Sequence, residues 1–207
     1  MPLVEKIKTE AGLLGIWKRS ESAEELEANF QFTSSEKEAY EKYKIDRRKI
    51  EFLSVRILLQ ELAKEKLEIN YLPSGKPELN NHEQNISISH SANFVVILLS
   101  DKKIGIDVEN TQRNVEKVVS RYLHKKELEA IENTSNPQIA KILYWGAKEA
   151  VFKTTLHQNI EFKTQIIIDP FELKETGEFT ATLNKTIRYH LWYKMYENNV
   201  IVYCVEQ

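Results

Sequence analysis

Two hydrophobic spacings alternate along the chain, and they predict a mixed α+β protein. Gly12 to Trp17 reads as a short strand. Ser34 and Ser35 open a helix, with Ser35 and Glu38 at the spacing of a capping box. Asp46 caps a longer helix running to about Leu67, whose apolar positions Ile50, Leu53, Ile57 and Leu58 follow the helical period. Pro73-Ser74-Gly75-Lys76-Pro77 is a turn cluster. Asn85 to Ser89 predicts a short strand, and Phe94 to Leu99 is a continuous apolar run suited to a buried one.

From Ile104 to Glu109 the pattern alternates. Ile104, Ile106 and Val108 share one face of a strand; Gly105, Asp107 and Glu109 share the other. Val115, Val118, Val119 and Tyr122 form an amphipathic helical stripe. Asn136 caps a further helix, with Pro137 at its first position, running to about Leu156. The tail reads as strands over 164–168, 178–183, 187–196 and 200–205, with Asn198-Asn199 as the last hairpin turn. Strand, helices, strands thus occurs twice. This predicts two similar halves, 1–103 and 104–207, joined into one compact unit.

Composition narrows the function. The 207 residues suffice for a real core, and a net charge of −2 gives no global pull toward nucleic acid or membrane. An anionic ligand must therefore meet a local cluster of Lys and Arg. The longest apolar run is far short of the roughly 20 residues a spanning helix needs, and no secretory pattern opens the chain. Cys204 is the only cysteine, which excludes an intrachain disulfide and fits a reducing, cytoplasmic setting.

Five constellations can carry chemistry. Asp107 and Glu109 lie on one side of a strand, roughly 6 to 7 Å apart, as oxygen ligands for a hard cation or as ordinary strand carboxylates. Glu149 and Lys153 share a helix face, as metal ligand or base beside a phosphate-directed charge, or as a surface ion pair. Lys76, between Gly75 and Pro77, sits on a stiff turn, either a phosphate contact or a plain surface turn. His90 follows Ser89 at a strand end; adjacent residues point to opposite faces, so a Ser–His catalytic pair is disfavoured, and His90 reads as a phosphate donor or as a hydrogen-bonded turn histidine. Arg47, Arg48, Lys49 and Arg56 form a basic set on a helix, either functional or solvated. No phosphate-binding glycine loop, dinucleotide fingerprint or zinc-protease motif occurs, and nothing suggests an RNA-binding module.

Taken in order, these pieces are far more specific than any one alone. Arg48 through Arg56, Gly75 to Leu79, Asn85 to Ser91, Gly105-Ile106-Asp107-Val108-Glu109 and Trp145 to Lys153 together resemble the 4′-phosphopantetheinyl transferases. The likeness is to the longer, pseudo-dimeric, surfactin synthetase activator-like type. It implies two α+β halves with antiparallel sheets related by a pseudo-twofold, with coenzyme A in the cleft between them. It implies Mg²⁺-dependent transfer of phosphopantetheine from coenzyme A to a serine of an apo acyl or peptidyl carrier protein.

By the same resemblance Asp107, Glu109 and Glu149 hold Mg²⁺. Lys153 neutralises the leaving phosphate, and His90 bonds the pyrophosphate. Lys76, Ser89 and a basic residue near Arg48, with Arg56 as a second candidate, hold the 3′-phosphate and adenosine end. The base is left open, Glu149 being one candidate. Members often carry a basic pair earlier in the chain, where only Lys37 is available here, so Arg47, Arg48 and Arg56 are expected to take over that role. Lys117, Arg121, Lys125 and Lys126 cluster after the Asp107 strand, either as a patch that receives an acidic carrier or as a solvated helix face. The expected protein is a cytoplasmic monomer. Two alternatives stand beside this reading: a non-catalytic coenzyme A or carrier-binding relative of the same fold, and an unrelated Mg²⁺-dependent hydrolase of nucleotide pyrophosphates.

Overall fold

The computed structural model describes residues 3–156 and 159–207. The elements are, in order, β1 (Leu3–Lys8), β2 (Leu13–Lys18), α1 (Ala23–Ala28), α2 (Ser34–Glu41), α3 (Asp46–Ala63), β3 (Ile69–Tyr71), β4 (Pro77–Leu79), β5 (Asn85–His90), β6 (Phe94–Ser100) and β7 (Ile104–Asn110). There follow α4 (Val119–Tyr122), α5 (Lys125–Glu132), α6 (Pro137–Lys153), α7 (Phe162–Gln165), β8 (Ile166–Ile168), β9 (Thr176–Leu183), β10 (Ile187–Tyr196) and β11 (Asn199–Glu206).

The strands form antiparallel sheets, as expected of an α+β protein. One has four strands in the order β1-β2-β6-β5, one has five in the order β7-β11-β10-β9-β8, and β3 pairs with β4. The run at β6 shows why the core has layers. Val95, Ile97 and Leu99 pack with Leu53, Leu58 and Leu59 of α3 on one face of the four-stranded sheet. Val96 and Leu98 on the other face pack with Ile104, Ile106, Val108 and Ile201 of the five-stranded sheet. A strand buried on both faces must be apolar throughout, and β6 is. On its far side the five-stranded sheet buries Val200, Val202 and Cys204 against Leu143, Ala147 and Val151 of α6.

The alternation of β7 holds, but its second face does not meet solvent. Gly105 and Asp107 face α6: a Cβ at Gly105 would lie 1.8 Å from the Ala150 carbonyl oxygen, so only glycine lets helix and strand approach this closely.

Several boundaries differ from the sequence expectation. The capping box of α2 is Thr33 with Glu36, two residues earlier than Ser35 with Glu38. Ile45, not Asp46, is the N-cap of α3, without a side-chain bond; Asp46 is the first helical residue and acts only through its charge. That helix stops at Ala63 because Lys64 turns left-handed (φ 62°), with its N–H on the Gln60 carbonyl. The stripe from Val115 to Tyr122 is buried at its ends, yet only 119–122 is helix. The helix from Pro137 closes at Lys153, with Thr154 as its C-cap, short of Leu156. The span 164–168 is split, since 162–165 is a helical turn whose neighbouring carbonyls serve a buried lysine. The last hairpin turns at Glu197-Asn198, because Asn199 already pairs with Tyr196. Strands β1, β3 and β4 and helices α1 and α5 are additions to the expected set.

Candidate active site

Helix α6 lies along β7 and brings its last turn to Asp107. Its start is fixed by the Asn136 side chain, which accepts from the Ile139 N–H, and by Pro137. At its end Lys153 Nζ donates to Asp107 Oδ1 at 2.8 Å and to the Ile106 carbonyl at 2.9 Å. Lys153 thus spends its charge across the strand on Asp107, not on Glu149 four residues back.

Asp107 is 5% exposed. Its Oδ1 also accepts from Ser89 Oγ at 2.8 Å, while Oδ2 is buried without a hydrogen-bond partner. Glu109 Oε1 accepts from Trp145 Nε1 at 2.7 Å and from the Arg113 guanidinium, which also lies over the Trp145 ring. Burial, then the Asp107 charge, pushes the Glu109 carboxyl up, against Arg113 and Trp145. Glu149 is raised to about 7, first by burial and then by Asp107, with Lys153 opposing.

The donor set is one of oxygens, as a hard divalent cation requires. Among the described residues, no three His, Cys, Asp or Glu side chains are already gathered around one metal position. The chemistry nevertheless fits. Mg²⁺ commonly takes only one or two carboxylates and completes its shell with water and substrate phosphate. Asp107 offers a buried oxygen with no partner, and Glu149 shares that low-dielectric region with two like charges.

The shifted carboxyl sets a pH dependence. Glu149 has a folded pKa of about 7 against an ordinary 4.5, so in that range the folded chain keeps a proton that the unfolded chain has lost. Stability of the metal-free protein therefore falls as pH rises through that window. Melting in chelator at about pH 5 and about pH 7.5 should show wild type losing Tm relative to Glu149→Gln. Parallel behaviour of the two would contradict the shift.

Beside Asp107 opens a cavity of ≈ 630 Å³, within the usual range for small-molecule sites. Arg48, Arg56, Lys76, His90 and Lys153 line it, with Tyr43, Phe52 and Tyr71 among its apolar walls. Arg48 Nη1 donates to Glu51 Oε2 at 2.9 Å. Lys76 Nζ rests on the Thr154 carbonyl at 3.2 Å, and burial lowers its pKa. Burial likewise lowers His90, so at neutral pH it is an uncharged donor. Arg56 is buried, with Nε 3.3 Å from Glu36 Oε1 and its guanidinium 3.3 Å from the Phe52 ring centre. The structure therefore gathers four of the expected ligand-binding residues and Lys153 on one cavity. Ser89, expected with them, points its hydroxyl at Asp107 instead. Lys37 is engaged with Glu27 at 2.9 Å and is not part of the cavity wall.

Two arrangements were missed from sequence. Glu51 is a hub, accepting from Arg19 Nη1 (3.3 Å), Arg47 Nε (3.0 Å) and Arg48 Nη1 (2.9 Å). The Arg47 and Arg48 spacings to Glu51 were readable as helix pairs; Arg19 comes from a distant strand end. The second is a buried ion pair. Lys148 Nζ donates to Glu127 Oε2 at 2.8 Å and to the carbonyls of Phe162 (2.9 Å) and Ile166 (2.5 Å). Glu127 also accepts from the N–H groups of His124 (2.7 Å) and Ile168 (2.8 Å). Lys148 precedes Glu149 and points the opposite way, so this pair fixes the rotation of α6 at the site. His124 caps α5 in a capping box with Glu127, a signal hidden because histidine stands where serine or threonine is usual.

Among the described residues, no helix is long and apolar enough to cross a membrane. No curated protein matches the chain. A family model described as the 4′-phosphopantetheinyl transferase superfamily matches residues 103–204, the stretch that carries Asp107, Glu109, Glu149 and Lys153. The sequence motifs, the cavity beside Asp107 and this match agree: the chain belongs to the 4′-phosphopantetheinyl transferase superfamily.

Proposed function

We propose that the chain is a holo-carrier-protein synthase that moves 4′-phosphopantetheine from coenzyme A to a serine of an apo acyl or peptidyl carrier protein. One observation carries this reading. Lys153 both lines the cavity and bonds Asp107, so the cation-lined pocket and the carboxylate site are one place. The reading takes the chain as a cytoplasmic monomer of the pseudo-dimeric type. Its halves 1–103 and 104–207 are related by a pseudo-twofold and hold coenzyme A between them.

The residues take the following parts. Arg48, Lys76 and His90 bind the phosphates of coenzyme A, and Arg56 stiffens the wall behind them. Asp107, Glu109 and Glu149 hold Mg²⁺, which when bound supplies Lewis-acid stabilisation of the pyrophosphate. The serine oxygen attacks the phosphorus that bears the pantetheine arm. The bond from that phosphorus to the bridging oxygen breaks, and adenosine 3′,5′-bisphosphate leaves. Lys153 faces the charge that grows on the leaving phosphate. The serine proton passes to a neighbouring carboxylate, for which Glu149, near the end of α6 beside Asp107, is the candidate.

Release of adenosine 3′,5′-bisphosphate, followed by chromatography, tests this. The proposal expects release from coenzyme A only when an apo carrier is present. Release without any carrier would mean a pyrophosphate hydrolase. Coenzyme A binding with no release on any carrier would mean a non-catalytic relative.

The carrier is proposed to dock on Lys117, Arg121, Lys125 and Lys126, all of them exposed between β7 and α6. Reversing Arg121 and Lys125 to glutamate should raise KM for the carrier several-fold and leave KM for coenzyme A unchanged. Unaltered carrier kinetics would remove the patch from the account.

A further inference from the structure

The two larger sheets meet along β5 and β7 without backbone pairing. Two serine hydroxyls stand in for it. The Ile106 N–H donates to Ser87 Oγ at 3.0 Å, and the Val108 N–H to Ser89 Oγ at 3.3 Å. Ser87 and Ser89 lie two apart on β5, so they share a face, and both are buried. As closures of the β7 edge they are equivalent.

Only Ser89 does more. A hydroxyl carries one proton and two lone pairs. The Ser89 lone pair takes the Val108 N–H, and its proton goes to Asp107 Oδ1 at 2.8 Å. Lys153 Nζ reaches the same oxygen at 2.8 Å. Two donors therefore pin Oδ1 from a strand and a helix, while Oδ2 stays buried with no partner. The helix leaves room on that side: Gly146 faces Oδ2, and a Cβ there would come within 3.3 Å of it.

We infer that Ser89 is a positioning residue which, with Lys153, pins Oδ1 of Asp107 and presents Oδ2 as the oxygen that meets the divalent cation. This rests on the proposed metal role of Asp107 and departs from the part in binding the adenosine–phosphate end that the family resemblance gives Ser89. It matches the usual design of metal sites, in which a neighbour fixes the orientation of the ligand.

Ser87 supplies the control, because it closes the same strand edge without touching Asp107. Wild type, Ser89→Ala and Ser87→Ala are titrated with Mn²⁺ alone, reading free ion by electron paramagnetic resonance, and their melting is compared. Ser89→Ala should bind Mn²⁺ roughly ten-fold more weakly than wild type. Ser87→Ala should bind it as wild type does, with a loss of Tm similar to that of Ser89→Ala. Equal Mn²⁺ affinities in the two variants, with wild type binding, would overturn the inference and leave the metal site standing. Failure of the wild-type protein to bind Mn²⁺ would overturn the metal reading and this inference with it.

Discussion

Asp107→Ala is expected to cut phosphopantetheinyl transfer at least about a hundred- to a thousand-fold, the usual loss when one placed electrostatic group is removed from a reacting centre. Three contributions disappear together. The cation loses a carboxylate ligand with a free buried oxygen. Lys153 loses its 2.8 Å partner and keeps only the Ile106 carbonyl, so its ammonium is no longer held at the cavity wall. Ser89 loses the acceptor for its proton. Holo-carrier formation over time, at saturating coenzyme A and Mg²⁺, measures the effect, with melting as a check on folding. The fold should survive, since the substitution also removes the like charge that raises Glu109 and Glu149. Activity within ten-fold of wild type would remove Asp107 from the site.

The largest expected effect on stability is at Lys148, not at the cavity. Lys148→Ala strips a fully buried ammonium from Glu127, itself 2% exposed, and leaves that carboxylate in the core. Breaking one side of such a pair costs about 3–5 kcal/mol. It also frees the Phe162 and Ile166 carbonyls that tie the turn before β8 to α6. Urea unfolding should show the midpoint falling steeply. The double variant Lys148→Met/Glu127→Gln, which leaves no stranded charge, should recover a substantial part of the loss. A single-variant loss below about 1 kcal/mol would mean that the pair is not the strut described here.

These two positions show what was legible in the sequence. Elements whose signal is local were readable. β6 announced itself as an unbroken apolar run, α6 by Asn136 and Pro137, and β7 by alternation that put Asp107 and Glu109 on one face. The candidate site residues were singled out by the order of their motifs, because spacing alone left each pair as ordinary surface charge. What escaped was set by contacts between distant parts of the chain. Nothing near Arg19 signals Glu51, 32 residues on. Nothing near Lys148 signals Glu127, 21 residues earlier. Ser89 reads as a strand residue beside His90, and only the approach of β7 gives its proton a destination. Short strands such as β3 and β4, three residues each, carry too little pattern to be seen before they pair.

The same contrast bears on the proposed metal site. The family resemblance implied three carboxylate ligands, and the structure sets those three carboxylates in different surroundings. Asp107 is pinned on one oxygen and unpartnered on the other. Glu109 is tied to Trp145 and Arg113. Glu149 is buried beside Asp107, which with burial raises its carboxyl to about 7 in the metal-free protein.

The most direct test of the account is the mass of an apo carrier protein after incubation with this protein, coenzyme A and Mg²⁺. The account predicts that the carrier gains one phosphopantetheinyl group on a serine with wild type and essentially none with Asp107→Ala. A panel of acyl and peptidyl carriers that all remain at their apo mass, while the protein binds coenzyme A, would contradict it.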